Sequence, residues 1–359
     1  MFRWAPSANG WHGVASVEAR RSCRGTMLLV DLVSVFAETR RPLTGYCYRM
    51  LGAAADAEDA VQETMLRAVV HADRYDPARG PLHPWILRIA TNVCIDMLRS
   101  RGRRAMAVDL GPAAEAGAPL GVPLPAERWI EPMPDSRIIA ARDPAKIVVE
   151  RETVRLAFLA ALQHLPPRQR AVLVLRDVLQ FPASETADIL GASTASVNSA
   201  LQRARETLTE HNPVATDPLD ETDKAQHALL NRYVNAFERH DIEELKALLC
   251  EDVSSSMPPF MWWVQGRDLL AELMTSGACD GARLVATAVN GSAGFGQYRP
   301  DSNGVLRPFG IVLVELRDGA VSHVATFLGT GDRFADFNVP TSLPAHAGAL
   351  TDEFGARRS

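Results

Sequence analysis

A change of hydrophobic period near residue 212 constrains this chain more than any other feature. Up to residue 211, apolar residues recur at helical spacing; beyond it they gather into β-prone runs near 253–265, 283–290, 307–316 and 320–328. One regime cannot fold with the other as a single repeated pattern, so the chain must be modular. Its 359 residues, at roughly 100–200 per domain, allow two or three domains.

In the helical part, Leu32, Phe36, Leu43, Cys47 and Met50 share one face, and Gly52 ends that helix. Asp56 offers an N-cap for the next helix, with Glu58 and Asp59 in the first turn and Val61, Met65 and Ala68 as its buried stripe. Asp76-Pro77 and Gly80-Pro81 mark turns. Pro84 suits the first turn of a third helix that puts Ile86, Ile89, Val93 and Met97 inward. Residues 105–147, rich in Pro, Ala and Gly without a sustained period, read as a flexible linker. One helix is then predicted from about Ile147 through Val154, Phe158 and Leu162 to Pro166-Pro167, and a second carries Val172, Leu175 and Leu179. A short helix over about 183–190 stops at Gly191, and Ser193 caps a last helix with Val197, Leu201, Ala204 and Leu208 inside.

Residues 212–222 read as a second linker. Two helices (about 223–240 and 242–250) and one near 267–275 accompany the β-prone runs, and Asp318-Gly319 supplies a hairpin turn. The predicted organisation is a disordered extension over 1–26, helical domains over 27–104 and 148–211, an α+β domain over 223–340 and a tail over 341–359.

The net charge of −5 would argue against nucleic acid in a one-domain protein, but it is unevenly spread. Residues 213–359 hold 12 basic and 20 acidic residues, whereas Arg99, Arg101, Arg103 and Arg104 crowd one end of the first helical domain. A modular chain can hide a cationic footprint in an acidic total. Five cysteines without paired metal-ligand spacing fit a reducing cytoplasm, with no disulfide framework, zinc site or other cofactor. No apolar stretch is long enough for a membrane span, and the N-terminus lacks the apolar core of a signal peptide.

Three constellations carry chemistry. The short helix, Gly turn and capped helix over 183–208 form a helix-turn-helix pattern. With Val197, Leu201, Ala204 and Leu208 inside, a step of about 100° per residue places Ser199 and Gln202 outside, flanked by Asn198 and Arg203. Arg can reach guanine O6/N7, and Asn or Gln can pair with adenine, in a major groove. Spacing alone equally fits a solvated helix of a three-helix bundle. Second, Arg88, Asn92, Asp96, Arg99 and Arg103 line one helix face with Trp85 at its start, a stripe suited to phosphates and unstacked bases or to plain solvation. Third, Asp56–Glu63 makes a helix acidic on one face and apolar on the other, fit for docking a partner or for solvent.

In order and wording these segments resemble an extracytoplasmic-function sigma factor of bacterial RNA polymerase. Asp56–Glu63 resembles the core-binding segment, Trp85–Arg99 the segment that melts and reads the −10 element, and Leu165–Leu173 with Ser196–Arg205 the −35 reader. Trp129–Asp135 and the appended α+β region resemble the SigG-type branch, whose C-terminal domain is a SnoaL-like cone of the nuclear-transport-factor-like superfamily. One departure is Phe181-Pro182, ahead of the helix-turn-helix, where a small or polar residue is usual; Pro182 can start the short helix.

The resemblance implies a fold of two all-α sigma domains plus that α+β cone. It implies −10 contacts by Trp85, Arg88, Asn92, Asp96, Arg99 and Arg103, and −35 contacts by Asn198, Ser199, Gln202, Arg203 and Arg205. It places Asp59, Gln62 and Glu63 on the polymerase β′ clamp helices, with the β flap as a further contact, and promoter DNA as the second partner. An unidentified small molecule or an anti-sigma factor would complete the partners, with no membrane. A cone of this type encloses a cavity, and Met257, Phe260, Trp262, Trp263, Tyr298 and His323 are its candidate lining. His323, alternating with Val321 and Ala325, would be the acid/base residue of a SnoaL-like enzyme, but a lone His there is more often structural. A ligand-responsive helix-turn-helix regulator is the other alternative; it would need no helical domain like 27–104. The preferred reading is a non-enzymatic initiation factor whose fused domain tunes the openness of the helical domains.

Overall fold

The computed structural model describes residues 32, 34–100, 102–140, 143–211, 216–220 and 222–344, the side chains at 79 and 278 excepted. The extension predicted over 1–26 and most of the tail predicted over 341–359 lie outside the described residues. None of the described helices is long and apolar enough to cross a membrane.

The first helical domain packs α1 (residues 34–51), α2 (Ala54–Val70) and α3 (Leu82–Arg99). Their apolar stripes meet around Tyr46, Met50, Ala57, Val61, Ile86 and Val93, all buried. The Tyr46 hydroxyl is paired with Thr91 Oγ1 at 2.8 Å, so its polar tip is satisfied in that core. Gly52 at φ +73° makes the sharp turn out of α1. The expected N-cap role of Asp56 is not seen. Helix α2 starts at Ala54, and the Asp56 carboxylate is drawn instead to the buried Arg104 guanidinium at 2.7 Å. The capping work passes to Glu131, whose carboxylate accepts from the backbone N–H of Ala54 at 3.1 Å and Ala55 at 3.4 Å.

Glu131 belongs to the stretch expected to be a flexible linker, and that expectation is corrected. Ala105, Met106, Trp129, Ile130, Met133 and Ile138 are buried. Arg104 fastens the return of this stretch by donating to the carbonyls of Ala126 and Trp129. Low periodicity misled here because an irregular strap can bury single apolar residues without repeating them. A short helix α4 (Asp135–Ile138) follows, and α5 (Pro144–Glu152) begins ahead of the boundary expected at 148, with Asp143 capping and Pro144 in its first turn.

The single helix expected from 147 through 162 is two, α5 and α6 (Leu156–Gln163). The break frees the Val154 carbonyl to accept from Asn290 Nδ2 at 2.8 Å, a contact no uninterrupted helix could offer. Helix α7 (Pro167–Leu173) runs into a π-turn over Val174–Val178; α8 (Ala183–Leu190) and α9 (Thr194–His211) complete the domain. Gly191 takes the left-handed conformation (φ +59°) after α8, and Ser193 Oγ accepts from Ser196 N at the start of α9, as the pattern predicts.

The α+β region has helices α10 (Lys224–Arg239), α11 (Ile242–Leu248) and α12 (Arg267–Met274). Its strands are β1 (Leu249–Ser256), β2 (Trp263–Gln265), β3 (Arg283–Val289), β4 (Ser292–Pro300), β5 (Leu306–Arg317) and β6 (Ala320–Leu328). They form one sheet in the order β2-β1-β6-β5-β4-β3, with β1 and β6 parallel and the other neighbours antiparallel. One face packs Phe295, Val312 and Val324 against Leu230, Tyr233 and Phe237 of α10. The other face, with Val289, Ile311, Leu313 and Phe327, joins the same buried cluster as the helical half. A register shift at Glu315/Leu316 corrects the expected alternation on β6: Val321 falls on the helix-covered face and Ala325 on the opposite one.

The β3–β4 turn is the seat of that union. Asn290 donates to the Tyr48 hydroxyl at 2.7 Å, and its Oδ1 accepts from Met133 N at 2.9 Å. Gly291 N donates to Asp135 Oδ1 at 2.7 Å, and a Cβ on Gly291 would lie 2.4 Å from the Arg151 carbonyl oxygen. Outside the sheet, Asp217 N bonds the Leu316 carbonyl, and Leu343 bonds Leu306 in both directions, so parts of the predicted second linker and tail run along strand edges.

Arg104→Ala would remove one side of a buried ion pair, at side-chain exposures of 6% for Arg104 and 9% for Asp56. The expected loss is about 3–5 kcal/mol of unfolding free energy in urea titration, and a change below about 1 kcal/mol would show that the strap is held elsewhere.

Candidate nucleic-acid interface

A cleft of about 930 Å³ runs along the N-terminal half of α3 and holds Trp85, Arg88 and Asn92. Trp85 leans on Tyr75, ring centroids 5.5 Å apart. Tyr75 and the basic residues Arg67 and Arg74 also line the cleft. Sequence reasoning passed over them because they lie outside the α3 stripe, although an aromatic ten residues ahead of Trp85 was a visible signal. The far wall is α8 of the second helical domain, with Glu185, Asp188 and Ile189. Arg88 thus shares the cleft with the carboxylates of Glu185 and Asp188.

The remaining members of the predicted stripe go elsewhere. Asp96 pairs with Arg99 at 3.3 Å and Arg67 at 3.7 Å on the outer side of α3. Arg103 reaches across to His164 Nδ1 at 2.8 Å. The six residues therefore divide into a cleft group and an exposed pair on α3, and a contact between domains made by Arg103 beyond the helix end.

On α9, Val197, Leu201 and Ala204 are buried, whereas Asn198, Ser199, Gln202 and Arg203 are exposed on one side. A groove of about 770 Å³ collects Asn198, Gln202 and Arg205 beside Arg176. Gln202 is tied to Glu206 at 3.0 Å, and Arg205 makes a bidentate pair with Asp177 at 2.7 and 2.9 Å, which raises its pKa. Arg203 makes no ion pair among the described residues, so it is the readier of the two arginines for a base edge.

Asp59, Gln62 and Glu63 share a shallow groove of about 550 Å³ with Leu66, Arg67, Val93, Asp96 and Met97. Leu66 is 58% exposed and Val70 62%. An exposed apolar strip thus lies beside the acidic residues; the sequence reading gave this helix an apolar face but did not name Leu66 or Val70.

The six residues expected to line one cavity are not brought together. Trp263 Nε1 donates to the Gly111 carbonyl at 2.9 Å and Trp262 Nε1 to Ala118 at 3.2 Å, so both indoles grip the strap. Met257 and Phe260 form the neighbouring turn around the cis Pro258-Pro259 bond. Tyr298 is buried edge-on to Phe334, its hydroxyl donating to the Pro340 carbonyl at 2.5 Å. His323 lines a separate cavity facing α6.

Residues 35–104 match the Sigma-70 region 2 family, and residues 155–208 match Sigma-70, region 4. The chain is 42% identical over 311 residues to ECF RNA polymerase sigma factor SigG of Mycobacterium tuberculosis, spanning 85% of this chain and 82% of SigG. It is 30% identical over 223 residues to SigJ of the same organism, spanning 62% of this chain and 63% of SigJ. The crystal structure of M. tuberculosis SigJ aligns with a TM-score of 0.53 at 26% identity, over 85% of this chain and 98% of that one. The chain belongs to the extracytoplasmic-function sigma factors. As such it serves RNA polymerase in transcription initiation; its helical domains are sigma regions 2 and 4, joined here to an α+β domain.

Three histidines sit where region 4 meets its neighbours: His83 against Phe181, His164 against Arg103 and His211, and His323 under α6. Burial pulls each below the ordinary value of 6.5, helped at His164 by the Arg103 charge. Below about pH 6.5 the unfolded chain takes up protons that the folded one resists, so stability falls as pH drops through that value. The melting midpoint should be lower at about pH 5.5 than at about pH 7.5, and the difference should shrink in His83→Phe. An equal difference in the variant would exclude His83 as a contributor.

Proposed function

We propose that region 2 binds the −10 element as an opened strand along Trp85, Arg88 and Asn92, and that the outer face of α9 reads the −35 element. Asp59, Gln62, Glu63 and the exposed Leu66 strip dock on the β′ clamp helices, and region 4 meets the β flap. The observation that carries this reading is the polar, exposed side of α9, with Asn198, Ser199, Gln202 and Arg203 projecting from a capped helix after a left-handed glycine. The chain works in the cytoplasm by binding, without turnover of a substrate.

The described arrangement is, in this reading, a closed form. Helix α8 walls the −10 cleft, and Arg88 comes within 3.6 Å of where a Cβ on Gly191 would stand. Elements about 25 base pairs apart are separated by about 85 Å at about 3.4 Å per step. One body in which α3 touches α8 cannot span that distance, so regions 2 and 4 part when promoter and polymerase are engaged. The α+β domain, seated through Asn290 on both regions and on the strap, tunes that parting. An anti-sigma factor that kept the two regions together would act on the same equilibrium.

Reconstituted transcription with core polymerase and start-site mapping tests the reading; initiation without promoter preference would refute it. Arg203→Ala should cost roughly 1–3 kcal/mol at one −35 base pair, measured by competition between promoter and substituted duplexes. Equal weakening on scrambled duplex would make Arg203 a phosphate contact. Asn92→Ala should impair strand opening, read by permanganate reactivity, more than it impairs polymerase binding; the reverse order would move Asn92 out of the −10 site.

A further inference from the structure

A cavity of about 380 Å³ lies where the strap, region 4 and the sheet meet. Leu156, Ala157 and Ala160 of α6, with Val108 of the strap, make one apolar wall. The small side chains of Ala157 and Ala160 leave that wall shallow, shaped for a flat molecule. The opposite wall is polar and comes from the sheet: Ser254 on β1, Glu315 on β5 and His323 on β6. It is the face of the sheet turned away from α10, so the cavity is distinct from any space between the sheet and its own helices.

Its polar groups are incompletely used. His323 Nδ1 is paired with Ser254 Oγ at 2.8 Å, while the buried Nε2 has no hydrogen-bond partner among the described residues. Glu315 Oε1 likewise makes no hydrogen bond there, its nearest cation being Arg155 at 3.9 Å. A buried polar atom left unpaired is costly, and a ligand that pairs it recovers that cost. Of the three carboxylates on the lining, Glu315 is matched by Arg155 and Asp252 by Arg317, while Asp109 accepts from the backbone N–H of Met106. An anionic ligand would enter uncompensated.

We propose that this cavity binds a neutral, flat, largely apolar molecule bearing a hydroxyl group, a bicyclic phenol in chemical class. A hydroxyl both donates and accepts, so it suits His323 Nε2 whichever ring nitrogen carries the proton, and it can donate to Glu315. The rings lie on the α6 shelf. The volume falls toward the lower end of the roughly 300–1,000 Å³ usual for small-molecule sites. Because the walls come from three parts of the chain, the bound molecule favours the closed form over the open one. That consequence rests on the function proposed above; binding itself does not.

Naphthol titrated into the full chain, followed by calorimetry, tests the assignment against naphthalene and naphthoate. One saturable site per chain is expected, with naphthol at least about tenfold tighter than either comparison compound. Ala157→Phe, which fills the shelf, should abolish uptake. His323→Phe should weaken naphthol about tenfold while leaving naphthalene unchanged. No saturable uptake, equal binding of naphthalene, tighter binding of naphthoate, or undiminished binding by an Ala157→Phe chain of native melting midpoint would each overturn the site. In reconstituted transcription, naphthol should lower promoter-specific output of the unaltered chain and spare Ala157→Phe. Saturable binding with unchanged output would overturn the closure and leave the site standing.

Discussion

The six-stranded sheet has two apolar faces and three helices of its own, which cover only one of them. Its C-terminal turn over Gly331–Phe337 shields part of the second face with Phe334 and Phe337. The rest is shielded by the strap and the two sigma regions. Each large apolar side chain kept from water contributes about 1.5–3 kcal/mol, so Val289, Leu313 and their neighbours help hold the helical half in place beside the specific contacts of Asn290 and Gly291. Polar contacts then set the register. Arg137 shows this in one side chain, pairing at 2.7 Å with Glu58 of α2 and at 2.7 Å with Asp336 beyond the sheet. Being half exposed, it orients the union more than it stabilises it.

This constraint ties structure to function. On the proposed reading, opening regions 2 and 4 would uncover apolar surface on the sheet and separate Arg88 from α8. On that reading, polymerase and promoter supply the free energy through their preference for the open arrangement. The apolar strip of Leu66, Val69 and Val70 is exposed in the closed form, so docking on polymerase can come first. Region 4 can follow, because the outer face of α9 is already free while α8 is engaged.

Periodicity and caps were legible in the sequence. Gly191, Ser193 and the Val197–Leu201–Ala204 stripe announced the helix-turn-helix, and the helix wheel placed Ser199 and Gln202 outward correctly. What depends on a distant partner was not legible. Asp56 looks like an N-cap until Arg104 is placed beside it, and the helix from 147 looks unbroken until Asn290 claims the Val154 carbonyl. Trp262 and Trp263 suggested a cavity lining because indoles are apolar; their N–H groups instead found carbonyls of the strap, which no local pattern encodes. The stripe holds as a helix face from Arg88 to Arg99, while Arg103 lies beyond the helix end, and a helix of 18 residues is long enough for its members to meet several neighbours.

The central claim is that regions 2 and 4 are held together in the free chain and part on polymerase. Pulsed electron resonance between spin labels at the exposed positions Ser100 and Ser184, neither among the proposed contact residues, measures this directly. One short distance in the free chain, replaced on adding core polymerase and promoter by a distance longer by tens of ångströms, is the expected result. An unchanged distance distribution in a complex that initiates correctly would contradict it.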